Sequence, residues 1–99
     1  MIIDKYVAQN KEVAYRIIED EAVILTPEDG MLHNLNPTGT RVFALANGKR
    51  KARDIINCIT DEFEVAEATA AKDVVSFIKG LTDKKMLFVS DKPVKKPKR

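Results

Sequence analysis

Hydrophobic and polar positions change period about a third of the way along the chain. Residues 13–18 (VAYRII) and 22–26 (AVILT) are short β-branched runs separated by the acidic turn Glu19-Asp20-Glu21, a pattern that predicts a hairpin. Pro27-Glu28-Asp29-Gly30 puts proline where a type I turn wants a fixed φ and glycine where φ can turn positive. It leads into a third run, 31–35, so three short strands in a meander are predicted. Leu32 and Leu35 cannot share one face of a regular third strand without a bulge.

From Asn36 the period becomes helical. Asn36-Pro37 offers an N-cap followed by proline at the first helical position, and helix 1 is expected to run to about residue 46 with Val42, Phe43 and Leu45 buried. Asn47-Gly48 supplies a left-handed residue to close it. Ala52, Ile55, Ile56, Ile59 and Phe63 fall at i, i+3, i+4, i+7 and i+11, the stripe of an amphipathic helix 2. Helix 3 is expected over 67–84 with Ala71, Val74, Val75, Phe77, Ile78 and Leu81. That stripe is wider than one core-facing surface needs, so part of it is available to line a groove. Gly80 weakens this helix near its end by about 1 kcal/mol relative to alanine, enough to fray it or stop it early. Residues 86–90 form a short apolar segment able to lie extended against the body.

The order predicts an α+β fold: a three-stranded antiparallel sheet followed by three helices, in the manner of a winged helix-turn-helix. With 99 residues, 44% hydrophobic and 32% charged, the chain fits one globular domain, taken as residues 1–90, with a modest core. No run approaches the ~20 apolar residues of a membrane span, and Asp4 and Lys5 interrupt the position of a signal sequence, so a cytoplasmic location and no membrane association are expected. The formal charge of +2 hides a division. Residues 91–99 carry five bases against one acid and read as a solvated, disordered basic tail, which leaves residues 1–90 at −2.

No catalytic constellation is legible, so the chain is expected not to be an enzyme and to need no cofactor or metal. His33 is the only histidine, and Cys58, the only cysteine, lies on the stripe side of helix 2, where it behaves as a small hydrophobe. The carboxylates at 19–21 and 61–64 read as solvated faces, and Gly30, Gly39 and Gly48 are isolated at turns or helix ends, with no phosphate loop among them. One basic cluster stands inside the body, Lys49-Arg50-Lys51 with Arg53. Helix 3, which would be the recognition helix of a DNA reader, offers Glu67, Lys72, Asp73, Ser76 and Lys79 off its stripe, a mixed charge poorly matched to phosphate.

The residues resemble the PqqD family, named for coenzyme PQQ synthesis protein D and including leader-peptide recognition elements of other peptide-modification pathways. The resemblance covers about residues 13–88. It rests on Ala22-Val23-Ile24-Leu25, Pro27-Glu28-Asp29-Gly30, Leu32-His33-Asn34-Leu35-Asn36-Pro37-Thr38-Gly39, Val42-Phe43 with Leu45, Asn47-Gly48-Lys49-Arg50, Asp73-Val74 with Phe77, and Met86-Leu87. Departures are Lys51 and Ala66 at positions where capping residues are usual, and Phe43 where tryptophan is commoner.

The resemblance implies a non-catalytic adaptor on a winged helix-turn-helix. Such proteins bind the leader of a ribosomally made precursor peptide as a strand added beside strand 3, in the cleft against helix 3, and present it to a modifying enzyme, often a radical SAM enzyme. On this reading the peptide-binding residues are Met31, Leu32, His33, Asn34 and Leu35 with Val75, Ser76, Phe77, Ile78 and Leu81. Lys72 and Lys79 stand at the rim, where they would favour an acidic leader. Val74, Ile78 and Leu81 have an equally simple reading as core. The same free edge could pair two copies, so monomer and homodimer both stay open. The rival reading is a small winged-helix DNA-binding protein using Lys49 to Arg53 and the basic tail.

Overall fold

The computed structural model describes residues 2–93. A 3-10 turn (Ile2–Asp4) leads into β1 (Tyr6–Gln9), β2 (Ala14–Ile18), β3 (Glu21–Thr26), β4 (Met31–Asn34), α1 (Pro37–Leu45), β5 (Asn47–Lys51), α2 (Ala52–Phe63), α3 (Glu67–Asp83) and β6 (Leu87–Ser90). The predicted meander is the sheet β2-β3-β4, antiparallel throughout. A second antiparallel sheet, β5-β1-β6, was not anticipated. The basic tail beyond residue 93 lies outside the described residues.

The second sheet gathers three segments from the start, middle and end of the chain. None has an alternating pattern that would announce a strand. Tyr6–Gln9 (YVAQ) has only 4 residues, too few to show a period, and Asn47–Lys51 (NGKRK) has low β propensity. Both become strands because β1 pairs with each neighbour, Val7 lying opposite Arg50 on one side and Val89 on the other. Asn47-Gly48 therefore does not close helix 1 as expected. The helix ends at Leu45, and Gly48 takes its positive φ of 83° inside β5.

β2 and β3 are joined by Glu19-Asp20, with φ of 51° and 68°, between the paired residues Ile18 and Glu21. Two left-handed residues in a two-residue loop match a type I′ turn, whose twist suits the hairpin but which Asn-Gly fills with less strain. On the inner face of the sheet Ala22 and Ile24 are fully buried, while β2 at the edge is exposed along its length. Its Tyr15 rests edge-on against Phe43 of α1, ring centroids 5.0 Å apart at 79°. Leu32 and Leu35 need no bulge, because β4 ends at Asn34. Leu32 faces outward at 66% exposure and Leu35 turns into the core at 8%.

The junction of sheet and helices is a hydroxyl. Thr40, 6% exposed in α1, accepts the Ala22 N–H at 2.7 Å and donates to the Leu35 carbonyl at 3.2 Å, while the Leu35 N–H reaches the Ala22 carbonyl at 2.8 Å. Asn36 caps α1 as expected, its Oδ1 accepting the Gly39 N–H at 2.8 Å ahead of Pro37. Beyond α1, Ala52, Ile55, Ile56 and Ile59 of α2 pack against Ala70, Val74, Ile78 and Leu81 of α3. Phe63, the last member of the predicted stripe, is 37% exposed where α2 ends.

Lys51 has no acceptor to cap α2 with its side chain. Its backbone N–H instead donates to Asp54 at 3.0 Å, the one half of a capping box open to a lysine. α3 runs through Gly80 to Asp83, so the glycine neither stops it nor shortens it. Gln9 and Asn10 fasten the far helix ends: Gln9 Nε2 donates to the Phe43 carbonyl at 2.8 Å, and Asn10 Nδ2 to the Lys85 carbonyl at 2.7 Å. Arg41 grips Glu62 with two hydrogen bonds, 2.6 and 2.9 Å, tying α1 to α2. That contact holds the Glu62 carboxyl below its ordinary pKa. Its contribution is present above the unfolded carboxyl range and is lost as pH falls through the lowered folded value. Both side chains are more than a third exposed, so solvent screens most of it.

Two substitutions test this account by urea denaturation. Thr40→Val strands the buried Ala22 N–H and should cost about 1–3 kcal/mol, whereas Thr40→Ser should keep most of the stability. Replacing Glu19-Asp20 by Asn-Gly should raise stability by about 1 kcal/mol.

Candidate functional site

β4 is an outer strand of its sheet, paired only with β3 among the described residues. Because the N–H of Leu35 is spent on Ala22, the alternation of an antiparallel ladder turns the N–H and C=O of Leu32 and Asn34 away from β3. Four backbone groups thus face outward along one short edge. The side chains there divide by face: Met31 and His33 with the sheet's inner face, Leu32 and Asn34 with its outer one. Met31 is 55% exposed, and His33 is half-buried with Nε2 3.3 Å from the Thr26 hydroxyl. The same hydroxyl bonds Asp29, whose carboxylate also accepts the Met31 N–H at 3.0 Å and is held below its ordinary pKa by these bonds. The β3–β4 turn is thereby locked, with Gly30 at φ 65°.

A cleft of about 390 Å³ opens where β4 ends, between Leu35 and one side of α3. Asp73, Ser76, Phe77, Gly80, Leu81 and Lys84 line it. Their spacing of i, i+3, i+4, i+7, i+8 and i+11 is a single helical stripe, turned partly away from the stripe that enters the core. Glycine at 80 leaves the floor open, since nothing lies within 4 Å of the place its β-carbon would take. The ring of Phe77 is set by another glycine: a β-carbon on Gly39 of α1 would stand 2.7 Å from Phe77 Cε1. Gly39 thus has a packing role that its motif position did not reveal.

Of the residues predicted to bind a peptide, Leu35, Ser76, Phe77 and Leu81 line this cleft, and Met31, Leu32, His33 and Asn34 form the adjoining edge. The other four do not line it. Ile78 is fully buried in the core, Val75 is half-buried against it, and Lys72 and Lys79 are exposed, each one helical turn from Ser76. The lining itself carries Asp73 and Lys84, one charge of each sign. A single sequence could give the width of the stripe but not its division, because one helical face met the core and another the cleft. Asp73, Gly80 and Lys84 were missed, although their i, i+7, i+11 spacing with Phe77 and Leu81 carried the signal.

The basic cluster is largely committed within the fold. Arg50 donates to the Leu45 carbonyl at 3.2 Å, Lys51 lies 5.5 Å from the Tyr6 ring centroid, and Arg53 holds Asp4 at 2.7 Å. Among the described residues Lys49 is the one of the four without such a contact, and the DNA-binding reading is not supported. Among the described residues no three His, Cys, Asp or Glu side chains come together as a metal site. Among the described residues no helix is long and apolar enough to cross a membrane. Cys58 is partly buried against the core.

Residues 21–87 match the family model for coenzyme PQQ synthesis protein D (PqqD). No curated protein matches. Among solved structures, TbiB1 in complex with the TbiA(beta) leader peptide is 26% identical, with a TM-score of 0.73 over 81% of this chain and 93% of that one. Lasso peptide synthetase B1 complexed with the leader peptide is 19% identical, TM-score 0.72, covering 84% and 98%. The PqqD truncation of Methylobacterium extorquens PqqCD, described as a stand-alone recognition element of ribosomally synthesised and post-translationally modified peptides, is 21% identical, TM-score 0.67, covering 83% and 87%. At those last two identities the likeness is one of fold.

Two substitutions probe the cleft. Ile78→Ala should cost about 2–5 kcal/mol as a core truncation. Gly39→Ala should cost about 1–3 kcal/mol by driving the Phe77 ring outward, and that penalty should largely vanish in a Phe77→Ala background when the two are combined in a double-mutant cycle.

Proposed function

The chain belongs to the PqqD family, and on that premise we propose that it is a non-catalytic adaptor that captures the leader of a ribosomally made precursor peptide and presents it to a modifying enzyme. The observation that carries this reading is the free edge of β4 running into an apolar cleft on α3. The edge offers the N–H and C=O groups of Leu32 and Asn34 to an incoming strand, and Leu35, Phe77 and Leu81 offer apolar surface to its side chains. The similarity to TbiB1, whose structure holds a leader peptide, supports the same reading. A radical SAM enzyme is the proposed recipient, and the cytoplasm, where precursor and enzyme are made, is the proposed location.

Energetics set the scale of the interaction. Four backbone hydrogen bonds at about 1 kcal/mol net, with two or three buried apolar side chains at about 2 kcal/mol each, work against association and peptide ordering. A dissociation constant near micromolar follows, which suits a carrier that must hand its cargo on.

An amide-shift NMR titration of the labelled full chain with leader segments of short peptides encoded beside its gene tests the proposal. Shifts are expected at Leu32, Asn34, Phe77 and Leu81. Phe77→Ala should weaken binding about tenfold with the fold intact, about what loss of one buried aromatic contact brings. Silence from every candidate, or shifts confined to β5 and β6, would sink it.

A further inference from the structure

The sheet that carries β4 has a second free edge, on β2. The Ala22 N–H and C=O are spent on Thr40 and Leu35, so Ala22 and its partner Ile17 form a pair without mutual hydrogen bonds. Alternation along the ladder then turns the N–H and C=O of Ile17 and Tyr15 outward, and β2 pairs with β3 alone among the described residues. Natural sheets blunt such an edge with charge, proline or a bulge. β2 has no proline, keeps an unbroken register with β3 and carries one charge, Arg16. Its Tyr15, Ile17 and Ile18 are 47%, 47% and 53% exposed.

Tyr15 and Ile17 stand on the inner face, where the Tyr15 ring meets Phe43, so a strand added at β2 would lie beside α1 as one added at β4 would lie beside α3. Arg16 stands between them on the outer face, opposite Val23 and diagonal to Glu21, and forms no ion pair among the described residues. The remaining charges along this stretch lie at its ends, Lys11 and Glu12 before the strand and Glu19 and Asp20 in the turn. A second copy of the chain fits this edge poorly. A two-fold pairing that uses both Tyr15 and Ile17 sets Arg16 directly opposite the same residue of the other copy, two like charges at the closest cross-strand spacing.

Resting on the adaptor reading above, we propose that the β2 edge docks the modifying enzyme. The enzyme supplies an edge strand with an Asp or Glu opposite Arg16, set between two apolar residues opposite Tyr15 and Ile17. A carboxylate at that position turns the repulsion of self-pairing into a favourable cross-strand pair. β2 and β4 flank β3 and lie about 10 Å apart, so enzyme and leader are held at once in a single continuous sheet.

The test is amide hydrogen exchange, read by NMR on the labelled full chain alone, with leader segments of the short peptides encoded beside its gene, and with the modifying enzyme encoded there. The enzyme is expected to slow exchange at Tyr15 and Ile17 about tenfold or more, whereas a leader slows it at Leu32 and Asn34. Arg16→Glu and Ile17→Pro should each weaken enzyme binding about tenfold and leave leader binding unchanged, since an edge strand tolerates proline where the N–H faces solvent. Arg16→Lys should keep most of the enzyme affinity. Unchanged exchange at Tyr15 and Ile17, whether the enzyme binds elsewhere or not at all, would overturn the docking edge. So would protection of those two amides by a leader alone, or by the chain itself at high concentration. The adaptor reading falls on a different result, the failure of every leader to protect Leu32 and Asn34.

Discussion

The buried hydroxyl of Thr40 joins the two layers of this molecule. It completes the hydrogen bonding of β3 at Ala22 and receives β4 at Leu35, so the sheet is pinned to α1 at the point where β4 stops pairing. That pin decides where the free edge ends and the cleft begins. Buried backbone groups must be satisfied, and a hydroxyl that both donates and accepts serves two strands at once. One residue earlier in the same helix, Gly39 leaves room for the Phe77 ring. The first turns of α1 therefore position both halves of the site, the edge through Thr40 and the apolar wall through Gly39.

The second sheet explains why the helices hold their places around that pin. β1 lies between β5 and β6, bridging the segment after α1 to the segment after α3, and Gln9 and Asn10 at its end bind carbonyls at the ends of both helices. With its C-terminus fixed, α3 keeps one stripe in the core and a neighbouring one open beside Leu35. A site built on a strand edge and a helix fixed at its end is preorganised, which lowers the ordering cost of binding to that of the guest alone.

Much of the fold was legible in the chain. The β2-β3-β4 meander, the Asn36-Pro37 start of α1 and the stripe of α2 follow from local pattern, because turn chemistry, capping and helical period act between residues close in sequence. β1 and β5 were not legible. Four or five residues such as Asn47–Lys51 carry no strand signal of their own and become extended only when a partner some forty residues away supplies the ladder. The site divided in the same way. Met31 to Leu35 and Phe77 stood out through the motif pieces around them, whereas Val75 and Ile78 were drawn in by a stripe whose width periodicity could measure but whose sides it could not assign.

By itself the sequence determined the α+β class, the order of its main elements, and the resemblance that directed attention to the edge of β4. The tertiary structure alone decided which face of α3 is cleft and which is core, since that depends on where α1 and α2 press against it. It also decided that Leu35, just past β4, stands beside Phe77 and Leu81 of α3, since residues that far apart in the chain are set side by side only by folding.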